Sequence, residues 1–473
     1  MRRAKYLLAY LLLPSLFVPM ALAQNMKAGA GTATAAQTAK PITIPFKEFK
    51  LKNGLRVILS EDHSAPTYSI CVTYNVGSRN EKPGRTGFAH LFEHMMFQGS
   101  ENVGKGEHFI LVLNNGGNMN GTTNADRTNY FQSMPINQLD LGLFLEADRM
   151  KSLVINQANL DNQRNAVQEE RRLGVDNQPY GKTFETLFDT AYDNFAYKHS
   201  TIGSMSDLNA ATVEDVAAFF KMYYAPNNST LVLVGDFNTD DALARVKKYF
   251  EAIPSQPAPP ALDTTEPEQK AERRKTIEDT FARSTRLDIV YKIPQSNTPD
   301  WYAMSVLSTI LGSGQSSRLY QTLVKDKQLA VGAFSNAQER RGPSLASIVA
   351  ILPPMPNADP AAVESAIYAE LERLKTEPVA DWELEKVRMQ LRRQRAQQLR
   401  STLFRSILLG QYAVYYNDPG IINTLDAKYA AVTKEDIMRV AKQYFRDTNR
   451  TVITTVPAKK GSPTGAATTK PAE

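Results

Sequence analysis

Residues 84–100 read Gly-Arg-Thr-Gly-Phe-Ala-His-Leu-Phe-Glu-His-Met-Met-Phe-Gln-Gly-Ser and hold two of the five histidines of the chain. The spacing predicts a helix in which His90 and His94 share one face, because residues i and i+4 lie one turn apart. Thr86 can cap the start of this helix, and Gly99 can end its last turn. Two imidazoles on one face, with Glu93 beside them, are typical of a catalytic zinc site.

The residues around this motif favour a buried helix over a solvated one. Apolar side chains occupy most of its other positions, namely Phe88, Leu91, Phe92, Met95, Met96 and Phe97. A helix that is apolar on nearly every side belongs in a core, so its polar residues should face a cavity. A chance cluster on a surface helix is the alternative, and it is disfavoured because histidine is scarce in this chain.

A catalytic zinc ion takes three protein ligands and leaves one position for water, so a third ligand is needed. Residues 161–173 form a polar, helix-like segment that offers two adjacent carboxylates, Glu169 and Glu170. Either carboxylate is chemically suitable as the third ligand.

The H-x-x-E-H motif followed by this V-x-E-E segment resembles the pitrilysin, insulin-degrading and mitochondrial-processing-peptidase family of inverted-motif zinc proteases. The resemblance implies that Glu170 is the third ligand, with Glu169 as second choice, and that each chain binds one Zn²⁺. It also implies a zinc metalloendopeptidase that hydrolyses peptide bonds of unfolded or extended polypeptides. Family members often carry an acidic residue where this chain has Gln163, so the role of that acid is altered here.

Further motifs extend the resemblance over about residues 42–457. Residues 117–130 look like the hairpin of the family, with Gly121 where alanine is usual. Its strand is expected to pair with an extended peptide through main-chain hydrogen bonds, whereas the alternative is a rim strand without a ligand. The substrate-binding residues expected from this resemblance are Asn120, Gly121, Thr122 and Thr123. Later matches are residues 201–208, 224–228 and 231–236.

An internal repeat indicates a duplicated unit. The segment that begins Thr212-Val-Glu-Asp recurs as Thr433-Lys-Glu-Asp, an offset of 221 residues that also relates Asn228 to Asn449. Strand-like runs alternate with amphipathic helices, which predicts an α+β fold of two homologous domains, each a mixed β-sheet backed by helices. The same offset carries the zinc motif to residues near Leu311, where no histidine occurs. By resemblance, the two domains face each other across a chamber.

Composition indicates the expected boundaries of the signal peptide, the domains and the linkers. Residues 1–23 combine an N-terminal basic cluster, an apolar run and an Ala-Leu-Ala end, as in a cleavable export signal. We expect disordered segments at 24–41 and 458–473, a zinc-binding peptidase domain at 42–253, a Pro-rich linker at 254–275 and a homologous non-catalytic domain at 276–457. The lone Cys71 cannot form an internal disulfide, and export without disulfides favours a bacterial periplasm over a eukaryotic secretory product. Secretion is the second choice.

The composition also limits the classes of partner that are expected. Removing the three cations of the signal lowers the formal charge from +6 to +3, which is too little to indicate a nucleic-acid-binding protein. No stretch outside the signal approaches the roughly 20 apolar residues of a membrane span. By the family resemblance, a peptide or unfolded protein substrate is the expected ligand.

One departure from the family pattern bears on partners. Active members usually carry an arginine and a tyrosine, seven residues apart, in the second domain or in a partner chain, after a segment like Ser316-Ser-Arg-Leu319. Here the two positions are Val324 and Val331. We therefore expect the chain to be the catalytic subunit of a hetero-oligomer whose homologous partner supplies the Arg/Tyr pair and lacks the zinc motif.

The predicted mechanism assigns Glu93 as the general base. Zinc lowers the pKa of water toward neutrality, and Glu93 can take the proton and pass it to the leaving amine. Two alternatives remain at this point. One is a non-catalytic peptide-binding or assembly subunit of the same fold, and the other is a zinc hydrolase that acts on non-peptide bonds.

Overall fold

The computed structural model describes residues 42–356 and 358–458. The expected signal peptide, the segment 24–41 and residues 459–473 of the expected tail lie outside the described residues. Within the described ranges, no helix combines the length and the apolar character that crossing a membrane requires.

The described residues form two mixed sheets, which confirms the predicted α+β fold. The first sheet contains β1 (Lys47–Lys50), β2 (Arg56–Glu61), β3 (Thr67–Tyr74), β4 (Asn118–Thr123), β5 (Thr128–Pro135) and β6 (Ser229–Gly235). The second contains β7 (Arg273–Asp279), β8 (Arg286–Ile293), β9 (Gly332–Ala337), β10 (Ser344–Ile351) and β11 (Arg450–Pro457).

The helices fall into two groups along the chain. Those of the first half are α1 (Phe88–Met95), α2 (Glu107–Asn114), α3 (Leu139–Ser152), α4 (Gln157–Arg171), α5 (Gly181–Ala191), α6 (Phe195–Lys198), α7 (Met205–Asn209), α8 (Val213–Tyr223) and α9 (Thr239–Phe250). Those of the second half are α10 (Pro299–Gly312), α11 (Pro360–Thr376), α12 (Asp381–Leu399), α13 (Thr402–Tyr416), α14 (Ile421–Ala430) and α15 (Lys434–Tyr444).

The two sheets share one topology, as the sequence repeat predicts. Their strand orders are β1-β2-β6-β3-β5-β4 and β7-β11-β8-β10-β9, so the second lacks only a counterpart of β1. In each sheet one pair is parallel, β2 with β6 and β7 with β11, and the remaining pairs are antiparallel. Helices α8 and α15 both begin with a capping box, formed by Thr212 with Asp215 and by Thr433 with Asp436. The repeat is therefore structural as well as sequential.

Each sheet is covered on one face by a helix from the other half of the chain. Helix α13 packs on β3 and β6 of the first sheet, and α5 packs on β11, β7 and β8 of the second. Strand β6 is consequently buried on both faces: Leu231 and Leu233 join the core of the first half, whereas Val232 and Val234 pack with Leu409 of α13. Such burial explains the uninterrupted apolar run 231–234.

Hydrogen bonds also hold α5 and α13 on the sheets of the opposite halves, an arrangement we call the exchange of helices. The Thr183 hydroxyl of α5 bonds that of Thr455 at 2.8 Å, and the Ser69 hydroxyl of β3 bonds that of Thr402 at 2.9 Å. Residues 42–458 accordingly pack as one compact unit. The chamber expected between the halves stays a prediction, as do the expected domain boundaries.

The proline-rich segment between the halves lacks regular secondary structure and is anchored by side-chain contacts. Residues 254–272 form no helix or strand, and β7 begins at Arg273, inside the expected linker. The Glu266 carboxylate accepts hydrogen bonds from the backbone N–H groups of Asp193 and Asn194, at 2.8 and 3.0 Å, and from Lys292 Nζ at 2.6 Å. This buried carboxylate fastens the segment to both halves.

Candidate metal centre

The predicted helix exists as α1 and places its two histidines side by side. Their ring centroids lie 4.9 Å apart with planes at 80°. The opposite face of α1 is buried, and Phe92 stacks on Tyr224 with ring centroids 4.8 Å apart. This apolar packing fixes the rotation of the helix, so the imidazoles of His90 and His94 emerge on the remaining polar face.

Glu170, at the C-terminal end of α4, meets both imidazoles. Its Oε2 lies 3.6 Å from His90 Nε2 and 3.3 Å from His94 Nε2. A tetrahedral zinc ion with bonds of about 2.0–2.1 Å holds its ligand atoms roughly 3.3 Å apart, which is close to both of these separations. Among the described residues, this is the sole group of three or more His, Cys, Asp or Glu side chains that could hold a metal.

The two other polar residues considered on α4 point elsewhere. The Glu169 carboxylate accepts a hydrogen bond from Arg172 at 3.0 Å on the exposed side of the helix. Gln163 is buried, and its Nε2 donates to Asn162 Oδ1 at 2.7 Å. Of the two adjacent glutamates, the structure therefore brings Glu170 alone to the histidines.

The protonation of His90 and Glu170 suits a cation. Burial, with a smaller effect from the charge of His94, lowers the pKa of His90 to about 4, so this imidazole is neutral at neutral pH. The hydrogen bond to His94 lowers the pKa of Glu170 below its ordinary value. A neutral imidazole and a carboxylate are the forms that coordinate a divalent ion.

Glu93 lies one residue before His94 and is not among the three converging ligands. Burial raises the pKa of its carboxyl group, and the neighbouring Thr123 hydroxyl and the charge of His94 oppose that rise. A carboxylate whose pKa is shifted upward toward neutrality is a better general base at neutral pH than an ordinary one.

The strand expected to bind substrate, β4, is the edge strand of the first sheet beside β5. Gly121 is buried against Glu93: a Cβ built on Gly121 would lie 3.0 Å from Glu93 Cγ and 3.2 Å from Tyr130 Cδ1. The Gly121 N–H donates to Asn120 Oδ1 at 2.9 Å, and the Thr122 hydroxyl donates to Asn129 Oδ1 at 2.7 Å. The unpaired edge of a sheet therefore passes directly beside the proposed base.

The contact between Gly121 and Glu93 gives a prediction. Gly121→Ala needs shifts of only a few tenths of an ångström and should keep kcat within about threefold, whereas the two extra methyl groups of Gly121→Val must displace Glu93. A displacement of about 1 Å can cost about 100-fold in rate, so we expect a loss of that size in kcat for the valine variant. Peptide hydrolysis, with zinc content measured in parallel, checks this. Wild-type kcat in Gly121→Val would contradict the positioning of Glu93 by β4.

Among the described residues of the second half, no group corresponds to the metal-binding residues. Helix α10, which packs beside β9 as α1 packs beside β4, contains no histidine or glutamate. Val331 is 56% exposed and directly precedes β9, the edge strand of the second sheet, and Val324 lies in the preceding π-helical segment. Arg318 is engaged with Glu383 through two hydrogen bonds of 2.8 Å. Arg318 therefore does not replace the missing arginine.

The start of α1 differs from the expectation. The predicted cap, Thr86, is wrong: its hydroxyl donates to Asp207 Oδ2 at 2.6 Å, and the residue preceding the helix is Gly87, with φ +86°. The amides at the start of α1 are instead bound by Glu81. Spacing within the motif carries no signal for this contact, because Glu81 reaches the helix across a loop.

Comparisons with known proteins cover most of the chain. The sequence profile of the insulinase family (peptidase family M16) matches residues 56–204, and the profile of the peptidase M16 inactive domain matches residues 210–391. Zinc protease PqqE of Helicobacter pylori is 32% identical over 425 residues, which cover 89% of this chain and 95% of that protein. A probable mitochondrial-processing peptidase subunit beta of Schizosaccharomyces pombe is 23% identical over 426 residues, covering 87% and 91% of the two chains. The crystal structure of a protease from Helicobacter pylori superimposes with a TM-score of 0.83 at 32% identity, covering 88% of this chain and all of that one.

Proposed function

The chain belongs to the insulinase family, peptidase family M16, and on that premise we propose that it is a zinc metalloendopeptidase acting on unfolded or extended polypeptides. The observation that carries the proposal is the convergence of His90, His94 and Glu170, with Glu93 beside them. Two imidazole nitrogens and one carboxylate form a donor set of catalytic zinc sites.

Metal binding and proton transfer are assigned to different residues of the chain. His90, His94 and Glu170 would hold the zinc ion, which when bound polarises a carbonyl and lowers the pKa of water. Glu93, whose pKa burial raises, accepts the proton from the attacking water and delivers it to the amine of the departing peptide. One carboxylate thus serves as base and then as acid within a single turnover.

The edge strand β4 would supply the substrate site. An added peptide strand bonds through its main chain, so extended polypeptides of varied sequence can bind. The Gly121 N–H is occupied by the side chain of Asn120, and an incoming carbonyl would take the place of that side chain. Asn120, Gly121, Thr122 and Thr123 are accordingly proposed to contact the substrate backbone.

We further propose that the chain is exported to the periplasm and works with a homologous partner. Residues 1–23 support export. The valines at 324 and 331, where family members carry an arginine and a tyrosine, support the need for a partner. A relative named as a subunit of a mitochondrial-processing peptidase is consistent with assembly in this family.

The partner proposal gives a prediction that also tests the function. The mature chain should bind one zinc ion per chain, and its cleavage of an unfolded polypeptide should rise at least about tenfold on mixing with a homologous chain that lacks H-x-x-E-H, because the partner contributes transition-state contacts. Zinc analysis and peptide cleavage, with and without a chelator, measure both quantities. Full activity of the lone chain would reject the partner dependence. Absence of cleavage in the zinc-loaded mixture would reject the peptidase.

A further inference from the structure

Helix α1 has only eight residues, and its N-terminus carries no side-chain cap of its own. The residue before it is a glycine in the left-handed region, so the amides at the start of the helix need acceptors from elsewhere. A helix this short gains little from its own hydrogen bonds, and its position depends on external contacts. Since α1 carries two of the proposed metal ligands, the contacts that hold its first turn also determine the orientation of both imidazoles.

The acceptor is Glu81, a fully buried carboxylate six residues before Gly87. Its Oε2 accepts the Gly87 N–H at 2.9 Å, and its Oε1 accepts the Ala89 N–H at 2.8 Å. A carboxylate at this end also interacts favourably with the helix dipole. Ala89 immediately precedes His90, so the Glu81 carboxylate binds the backbone directly next to a proposed metal ligand.

A partly buried histidine holds this carboxylate in place. His199 Nε2 lies 3.0 Å from Glu81 Oε2 and 3.0 Å from the Ser78 carbonyl, and His199 Nδ1 lies 2.9 Å from the Phe195 carbonyl. Both ring nitrogens therefore face acceptors, an arrangement that favours the imidazolium form. Burial alone would lower the pKa of His199, but the hydrogen bond to Glu81 and the charge of Glu81 raise it above its ordinary value.

The loop that follows His199 joins α1 to the helix of the third ligand. A Cβ on Gly203 would lie 2.5 Å from Gly87 N, so the two glycines pack backbone to backbone. The Gly203 carbonyl accepts a hydrogen bond of 2.6 Å from Nη1 of Arg171, the residue directly after Glu170. One loop thus contacts the start of α1 and the end of α4.

We propose that Glu81 and His199 are positioning residues of the metal centre, which clamp the first turn of α1 so that His90 and His94 stay aligned with Glu170. This inference rests on the proposed zinc site and deepens it. Neither residue touches the substrate or the reacting atoms, and both act through the backbone of α1 and the loop 199–204.

The chain offers a matched control. Glu266 is also a buried carboxylate that accepts two backbone N–H groups and one cationic side chain, but it lies in the segment between the halves. Glu81→Gln and Glu266→Gln therefore remove the same charge from the same kind of environment. If Glu81 were merely structural, both variants would lower Tm and leave metal binding alone.

The experiment compares the mature full-length chain with Glu81→Gln, His199→Gln and Glu266→Gln. Zinc affinity is measured by competition with a chelator, and the visible absorption of the cobalt-substituted chain reports ligand geometry. We expect Glu81→Gln to weaken zinc binding about 10- to 100-fold and to alter the cobalt spectrum, as loss of outer-shell support does in metal sites. His199→Gln should change both in the same direction, and Glu266→Gln should change neither, whatever its Tm.

Wild-type zinc affinity and an unchanged cobalt spectrum in both Glu81→Gln and His199→Gln would overturn the positioning role. If Glu81→Gln does not fold, His199→Gln alone provides the test, because that variant keeps both hydrogen bonds from the backbone N–H groups of Gly87 and Ala89 to Glu81. Failure of the unaltered chain to bind zinc would overturn the proposed metalloenzyme itself, and is thus distinguishable from failure of the clamp.

Discussion

Glu93→Gln is expected to lower kcat for peptide hydrolysis by about 10²- to 10⁴-fold, the usual contribution of a general base. Glutamine keeps the size of the side chain and its place beside Gly121 and Thr123, but it cannot accept the proton of the attacking water. Because Glu93 is not among the three converging ligands, one zinc ion should still bind per chain. The measurements are kcat on an unfolded polypeptide and metal content of the same preparation.

The Glu93 experiment also separates the peptidase from the scaffold alternative. An assembly subunit of the same fold would show the same properties with glutamate or glutamine at position 93. If Glu93→Gln turned over substrate at the wild-type rate, the carboxylate would have no role as base, and the proposed mechanism would be wrong. Loss of zinc along with activity would indicate that Glu93 is a ligand instead.

Glu170→Gln is expected to abolish tight zinc binding. Changes in outer-shell partners of metal ligands already cost about 10- to 100-fold in affinity, so loss of a direct carboxylate should cost at least 100-fold. Activity should fall with occupancy and recover in part at high zinc concentration. Zinc retained after dialysis against a chelator, together with kcat at saturating zinc, measures both effects.

The adjacent residue provides the control for Glu170. Glu169 is the same residue type on the same helix, but it faces solvent and pairs with Arg172. Glu169→Gln should therefore leave metal affinity and kcat within about twofold, as for most surface substitutions. The reverse result, with metal lost in Glu169→Gln and kept in Glu170→Gln, would make Glu169 the ligand.

The sequence predicted α1 well because the H-x-x-E-H spacing and the apolar residues around it specify the same helix face. It offered Glu169 and Glu170 as equal candidates, since adjacent helical residues differ by about 100° in direction and only the packing of α4 decides which one faces α1. The family resemblance favoured Glu170, and the structure brings that residue to the histidines. The roles of Asn120 to Thr123 stay predictions.

Contacts between distant segments were harder to predict. Glu81 caps α1 and is held by His199, which lies 118 positions away along the chain, whereas propensity favoured Thr86 as the cap. The exchange of α5 and α13 was likewise not predicted, although the 221-residue offset does relate the starts of these helices. Periodicity shows that a strand is apolar on both faces, but it does not show which helix covers each face.

The exchange of helices has a mechanical consequence. One face of each sheet is covered by a helix from the other half of the chain. Separating the halves would therefore expose buried apolar side chains of both sheets at once. Hinge-like swinging between the halves is therefore disfavoured, because it would expose these apolar side chains to water.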